Sequence, residues 1–239
     1  MKINKKYIFD FNIIKNPTPE FAYYLGWMWG DGTCRHRVNG YSQSLEIQET
    51  DGLEIVKFFE TFCKPSKRFR HRKGRKPTIS INLYDFILGK FLEQNDYEEK
   101  SQKPPTKILN FLPIELHEYW FRGFFEADGH ASFREQSTKG YMLSTIEFYA
   151  PINQDWKFLQ DFLIKNGIQM KNSKRKRDCG SSSIAGFSQQ PQIIKFIDSV
   201  YSKNSFICLS RKYKILMEMK NYIINGPSSQ KKKSESKNS

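Results

Sequence analysis

The sequence predicts a mixed α+β fold made of two pseudo-symmetric halves, each with the element order αββαββα. Three observations lead to this prediction. An aromatic-rich segment ending near Asp-Gly occurs twice, at residues 20–33 and 118–130. Each copy is followed by two runs with strand-like alternation, and each pair of runs is followed by an amphipathic helix. Each half is therefore expected to carry one antiparallel sheet, and the two sheets together are expected to form a saddle.

The two repeated segments align on Asp31-Gly32 and Asp128-Gly129. In both, a Gly is followed by two large apolar residues, one variable residue, a small residue and then Asp-Gly. Small residues four positions apart allow two helix backbones to approach closely. We therefore expect two helices packed against each other where the halves meet. The small residues at this helix interface are Gly26, Gly30, Gly123 and Ala127.

The remaining elements follow in the same order in both halves. In the first half we expect a hairpin of residues 33–38 and 42–48 around Asn39-Gly40, a helix at 53–62 capped by Asp51, strands at 67–71 and 78–83, and a helix at 83–93. In the second half we expect strands at 131–136 and 141–148 around Lys139-Gly140, a helix at 156–165 capped by Asn153 or Asp155, strands at 169–177 and 181–187, and a helix at 191–201.

These elements divide the chain into five segments. They are an N-terminal arm at 1–16, the first half at 17–97, a linker at 98–113, the second half at 114–225 and a disordered basic tail at 226–239. The tail is predicted to be disordered because it is rich in Ser, Lys and Asn and has almost no apolar residue.

The charge of the chain indicates a polyanionic partner. Lys and Arg number 39 against 25 Asp and Glu, which gives a formal net charge of +14. Nucleic acid is the first candidate and an anionic membrane surface the second. No apolar stretch approaches the roughly 20 residues that span a bilayer, and no amphipathic basic helix indicates a membrane surface. The four cysteines show no zinc-ligand spacing, so we expect reduced thiols and no structural zinc.

Asp31 and Asp128 are the residues most suited to catalysis. If the two repeated helices pack together, these two carboxylates meet at their C-terminal ends. Adjacent carboxylates repel each other, and a divalent cation relieves that repulsion. Mg²⁺ prefers oxygen ligands and binds through a few carboxylates together with substrate phosphates. The pattern therefore favours metal-assisted phosphodiester chemistry over a plain helix-ending turn.

Residues 24–32 and 121–129 resemble the paired signatures of the LAGLIDADG homing endonucleases, and the repeat order extends this resemblance over nearly the whole chain. It implies that Asp31 and Asp128 are catalytic and bind metal, with Gly30 and Ala127 beside them in the metal site. The sixth position of the signature, often acidic in the family, is Trp29 in the first copy and Glu126 in the second. Trp29 implies an asymmetric centre, and Glu126 is interpreted as a peripheral cap or surface acid.

The resemblance also implies a basic residue near each scissile phosphate, late in each half. By position these catalytic residues are Lys100 and Lys212, with Lys103 and Arg211 as alternates.

Polar and basic residues on the sheets are expected to face DNA. Arg pairs with guanine and Gln with adenine in the major groove, whereas the run 174–177 is interpreted as a loop that contacts phosphates. The DNA-binding candidates are Arg35, Arg37, Tyr41, Gln43, Arg68, Arg70, Arg72, Arg75, Lys76, Arg134, Gln136, Lys139, Lys171, Lys174, Arg175 and Arg177.

The resemblance implies a site-specific endonuclease, encoded within an intron, that makes a double-strand break in a long asymmetric DNA target. Mg²⁺ is the expected cofactor, with Mn²⁺ as a substitute, and a monomer without an obligate protein partner is expected. Two alternatives use the same scaffold: a group I intron maturase that binds its intron RNA, and a non-catalytic DNA-binding regulator. The chain is rich in Lys, Asn, Ile, Phe and Tyr, which is typical of a protein encoded in an AT-rich genome. Such a genome favours a mitochondrion as the location, although another organelle, a phage or a bacterial cytoplasm would suit it as well.

Overall fold

A computed structural model describes residues 9–38, 40–136, 141–177, 180–202 and 206–226. After a short helix α1 (Asn12–Lys15), the first half contains α2 (Pro19–Gly30), β1 (Gly32–Arg37), β2 (Gly40–Gln48), α3 (Glu49–Phe59), β3 (Ser66–Arg70), β4 (Thr78–Leu83) and α4 (Phe86–Gln94). Asn39, Lys139-Gly140 and residues 227–239 of the predicted tail lie outside the described ranges.

A connecting helix α5 (Thr106–Phe111) leads into the second half. That half contains α6 (His117–Asp128), β5 (Gly129–Gln136), β6 (Tyr141–Pro151), α7 (Lys157–Lys165), β7 (Lys171–Arg177), β8 (Gly180–Phe187) and α8 (Gln190–Tyr201), followed by a last helix α9 (Ser210–Asn225). The predicted αββαββα order is therefore confirmed in both halves.

Each half forms a four-stranded antiparallel sheet with the same topology. The strand orders are β1-β2-β4-β3 and β5-β6-β8-β7. In each half the last strand therefore lies in the middle of the sheet, where β4 pairs with β2 and β8 pairs with β6. Helices cover one face of each sheet, and the other face is open. The predicted fold class, mixed α+β with two related halves, is thus the observed one.

Helices α2 and α6 form the centre of the molecule. Thr18 caps α2 by accepting a hydrogen bond from the Phe21 N–H at 3.3 Å, and Pro19 occupies the first turn, where no N–H is required. Every residue from 21 to 29 is buried, as is every residue from 119 to 126. Each helix is buried nearly all round because it packs against its own sheet on one side and against the other helix on the opposite side.

Aromatic side chains fill the core of each half. In the first half the ring of Tyr24 lies 5.0 Å from that of Phe59. In the second, the ring of Phe125 lies 5.1 Å from that of Phe196 and 5.5 Å from that of Phe148. Ring contacts therefore tie α3 to α2 in the first half and α8 to α6 in the second.

Two capping predictions have different outcomes. Asp51 does not cap α3, because α3 begins two residues earlier and places Asp51 inside its first turn, where it is buried. Asp155 does accept a hydrogen bond from the Lys157 N–H at 2.8 Å, at the start of α7. Among the residues that the structure describes, no helix combines the length and hydrophobicity required to cross a membrane.

Candidate metal centre and nucleic-acid interface

The close approach of α2 and α6 depends on glycine. A Cβ atom on Gly26 would lie 2.1 Å from the carbonyl oxygen of Trp120, and one on Gly123 would lie 2.2 Å from that of Tyr23. At the C-terminal end, a Cβ on Gly30 would lie 2.4 Å from the Cβ of Ala127 and 3.2 Å from Oδ2 of Asp128. The backbones are thus in contact along the whole crossing, which brings the two Asp-Gly pairs side by side.

Asp31 and Asp128 lie at the adjacent C-terminal ends of these helices. Burial, together with the negative charge of Asp31, raises the pKa of Asp128 to about 7, against the opposing effect of Lys100 and Lys212. Burial also raises the pKa of Asp31, and the two lysines oppose this shift too. The Asp31 side chain reaches the open groove, so solvent moderates its shift. This centre therefore holds two closely spaced carboxylates beside two positively charged lysines.

Lys100 and Lys212 each bind the C-terminal end of the signature helix in their own half. The Nζ of Lys100 donates to the carbonyl oxygens of Met28, at 3.0 Å, and Gly30. The Nζ of Lys212 donates to the carbonyl oxygens of Phe125, Glu126 and Gly129 at 3.0, 2.6 and 2.6 Å. A cation at this position satisfies orphan carbonyls and interacts favourably with the helix dipole.

Both lysines are desolvated at the centre. Burial lowers the pKa of each to about 8. The two aspartates oppose the shift at Lys100, and Glu126 together with the two aspartates opposes it at Lys212. Of the alternates, Lys103 pairs with Asp96 at 3.3 Å and with Glu99 on the surface, while Arg211 lines a cavity with Asp31 and Lys212 and pairs with Asp51 at 2.7 Å. The structure thus brings Lys100 and Lys212 together with the two aspartates, and leaves Lys103 at the periphery.

The donors at the centre fit a hard divalent cation. They are two carboxylates, one open to the groove and one half-buried, and burial raises the pKa of both. The carbonyl of Gly30 is engaged by Lys100, whereas Lys212 binds carbonyls on either side of Ala127. Within the described ranges, no group of three or more His, Cys, Asp or Glu side chains comes together. This donor set suits an ion that takes its other ligands from water and phosphate.

Glu126 is not a surface acid, contrary to its interpretation from the sequence. It is 2% exposed, and its carboxylate accepts hydrogen bonds from the hydroxyls of Tyr23 and Tyr201 and from the Leu209 N–H. Burial raises the pKa of Glu126 to about 7, against these hydrogen bonds. This acid joins α2, α6 and the start of α9. At the matching position, Trp29 is buried against the ring of Tyr97 at 5.0 Å.

The open face of the first sheet is a polar concavity of about 560 Å³. The register pairs Arg35 with Ser42 and Arg68 with Ser80, so these residues share the open face. Arg70 is on the same face and donates to Glu46 at 2.6 Å. The residues lining this concavity are Asp31, Thr33, Arg35, Arg37, Ser42, Ser44, Glu46, Arg68, Arg70, Ser80, Asn82 and Tyr84. Arg72, Arg75 and Lys76 follow on the exposed loop after β3.

Two predicted DNA contacts in the first half were placed on the wrong face. Tyr41 is buried against α4, where its hydroxyl donates to Glu93 at 2.5 Å. Gln43 is 1% exposed and donates from Nε2 to the backbone carbonyl of Asp85 at 3.1 Å. The hairpin register explains the error, because odd residues of β1 lie opposite even residues of β2. Ser42 and Ser44 occupy the open face instead.

The second sheet places Arg134 and Lys171 on its open face, in register with Leu143 and Gly186. Lys174 pairs with Ser183 and lies on the helix side, so its prediction as a DNA contact was wrong. The run 174–177 was also not a loop, because it continues β7. For Gln136, Arg175 and Arg177 the structure describes the strand position alone, and Lys139 lies outside the described residues.

No protein-family model matches the chain. An uncharacterized protein of Methanocaldococcus jannaschii is 24% identical over 139 residues, which are 56% of this chain and 47% of that protein. The match thus spans about half the length of this curated relative.

Solved structures give a fuller match. The LAGLIDADG homing endonuclease I-GzeII, in complex with its DNA target, is similar with a TM-score of 0.58 and 11% identity over 89% of this chain and 92% of that one. Meganuclease I-SmaMI bound to uncleaveable DNA has a TM-score of 0.54 and 15% identity over 87% and 90%. A mesophilic variant of I-DmoI has a TM-score of 0.53 and 11% identity over 78% and 97%. The chain therefore has the fold of the LAGLIDADG homing endonucleases, as its two signature segments predicted.

Proposed function

We propose that this chain is a site-specific DNA endonuclease that makes a double-strand break in a long asymmetric target by metal-assisted hydrolysis. One observation carries the proposal: Asp31 and Asp128 meet at the midline between two open, basic sheet faces. I-GzeII and I-SmaMI, which share this fold, are seen with DNA. A single chain that contributes both halves needs no second copy to complete the centre, so we propose a monomer.

DNA would bind along the two open sheet faces. A two-stranded β-ribbon fits the major groove, where each base pair presents a distinct pattern of donors and acceptors. Arg35, Arg37 and Arg68 extend from the first sheet toward such a groove, and Arg134 and Lys171 from the second. Phosphate contacts from the exposed loop after β3 would position the duplex without reading its sequence.

The residues of the centre suit phosphodiester hydrolysis. Mg²⁺ held by Asp31 and Asp128 would supply charge neutralisation at the phosphate and an activated water. Lys100 and Lys212 keep positive charge beside both acids, which lowers the electrostatic cost of bringing a phosphate backbone against two carboxylates. The packed helices hold the acids in place before DNA binds, so little reorganisation is required.

An endonuclease on this scaffold requires Asp31 and Asp128, whereas a maturase or a regulator does not. Folding assistance to intron RNA, or simple DNA binding, should survive the loss of both aspartates, whereas cleavage should not. An intron origin is proposed together with the endonuclease and is tested by the choice of substrate.

The test uses purified chain and duplex DNA that spans the empty insertion site of its own gene, with Mg²⁺ or EDTA. We expect discrete cuts in both strands with Mg²⁺, none with EDTA, and none by the Asp31→Asn/Asp128→Asn variant. Labelled intron RNA is bound in parallel. Selective RNA binding by native chain and variant alike, without any DNA cleavage, would replace this proposal with the maturase.

A further inference from the structure

Glu147 is an acid on the surface that faces DNA. It lies on β6 opposite His130 of β5 and Gly186 of β8, and so shares the open face of the second sheet with Thr145, Lys171 and Ser173. These residues line a concavity of about 370 Å³, and Ile184 forms part of its wall. Gly186 keeps the concavity open, since a Cβ there would lie 3.2 Å from Cγ of Glu147.

The carboxylate of Glu147 is oriented but not neutralised by the side chains that the structure describes. The hydroxyl of Tyr149 donates to Oε2 at 2.5 Å, which holds the carboxylate of a side chain that lines the concavity. No described Lys or Arg side chain forms an ion pair with it. Glu46, on the open face of the first sheet, differs in this respect, because Arg70 donates to it at 2.6 Å and Arg72 lies at 3.7 Å.

Placing a half-buried carboxylate against polyanionic DNA is electrostatically unfavourable unless the DNA donates a hydrogen bond to that carboxylate. Phosphates and sugar–phosphate backbone offer none to it, and the only donors in the major groove are the exocyclic amino groups of cytosine and adenine. Adenine presents the N7 acceptor beside its N6 donor and would set a lone pair against the carboxylate. Cytosine presents N4 alone, which favours cytosine as the partner.

We propose that Glu147 is a specificity-determining residue that selects a cytosine in the half-site bound by the second half, accepting a hydrogen bond from N4 while Tyr149 holds the carboxylate in place. The proposal rests on DNA binding by this chain and deepens it. The matching position in the first half is Ser44, whose hydroxyl bonds with that of Thr33 at 2.7 Å. Selection through a carboxylate is therefore expected in one half-site, which makes the target asymmetric.

The test is selection of bound sequences from a pool of random duplexes, with the full-length native chain in EDTA so that bound DNA stays intact. We expect one position with a cytosine preference, and Glu147→Gln should shift that preference about tenfold toward adenine, because Gln pairs with adenine N6 and N7. Tyr149→Phe should weaken the cytosine preference without changing the base. Glu46→Gln is the matched control and should leave that position unaltered.

The outcomes separate this inference from the proposed function. If the native chain enriches no sequence, DNA recognition by this chain fails and the role of Glu147 with it. If the native chain enriches a sequence and Glu147→Gln keeps every preference, or loses affinity equally for all sequences while its melting temperature matches the native chain, the specificity role is overturned and the endonuclease proposal stands.

Discussion

At the scale of single residues, the two signature aspartates have titration properties that an isolated Asp-Gly turn would lack. Asp128 has a pKa raised to about 7 by burial and by Asp31. A raised folded-state pKa means that the folded chain binds a proton which the unfolded chain releases near pH 4. The contribution of Asp128 to the free energy of unfolding is therefore fully present below about pH 4 and is lost as the pH rises through 7.

This titration predicts a pH-dependent response to Mg²⁺. A cation should stabilise the ionised pair, so the increase in melting temperature caused by millimolar Mg²⁺ should be larger at pH 8 than at pH 6. The measurement is thermal unfolding at the two pH values with Mg²⁺ or EDTA. Asp31→Asn/Asp128→Asn should remove the Mg²⁺ response at both values. Glu126→Gln controls for the other buried acid with a raised pKa and should keep the response.

At the scale of elements, the α2–α6 crossing is set by two glycines whose positions were evident from the repeat. Gly26→Ala forces a Cβ to within 2.1 Å of a backbone carbonyl, which the helix partner cannot relieve by a rotamer change. We expect the free energy of unfolding to fall by about 3 kcal/mol, the upper range for overpacking, in urea titrations. Lys90→Ala, at an exposed position of α4, is the control and should change it by less than about 0.5 kcal/mol. Equal stability of the two variants would contradict the close-packed crossing.

The start of α9 joins the two halves through polar contacts. Arg211 donates to both carboxylate oxygens of Asp51, at 3.3 and 2.7 Å, and Glu54 accepts from the Ser210 N–H at 2.9 Å. Because the carboxylate of Asp51 is buried while Arg211 is half exposed, we expect a coupling energy of about 1 kcal/mol in a double-mutant cycle with Asp51→Asn and Arg211→Ala. Additive effects would show that the pair does not connect the halves.

The elements also show what the sequence could and could not predict. The order of helices and strands along each half followed from periodicity, because each half repeats the other. The faces of β2 did not follow, since which residues of a hairpin share a face depends on turn register, and this reversed Tyr41 and Gln43. Helix α9 was missed, although Leu216, Met219 and Tyr222 recur at three-residue spacing. The burial of Glu126 depends on contacts with distant residues such as Tyr23, which no local pattern reveals.

At the scale of the whole molecule, charge should govern affinity for DNA. The chain carries a net +14, and basic residues of the loop after β3 lie beside the open face of the first sheet. Removing two phosphate contacts with Arg72→Ala/Arg75→Ala should reduce the slope of log affinity against log salt by about 2. Fluorescence anisotropy over a salt series measures this slope. Lys90→Ala, on the helix side, should leave the slope unchanged, and a double variant with the native slope would exclude this loop from the interface.

The two halves form a single nuclease centre only if Asp31 and Asp128 act together on the same DNA duplex. The most direct test is a single-turnover assay in Mg²⁺ with the two strands of a target duplex labelled separately, comparing the native chain with Asp31→Asn and with Asp128→Asn. We predict that the native chain cuts both strands and that each single substitution lowers the rate of double-strand cleavage by at least about 10³-fold, with DNA affinity retained. A single variant that still cuts both strands at the native rate would contradict a nuclease centre shared by these two acids.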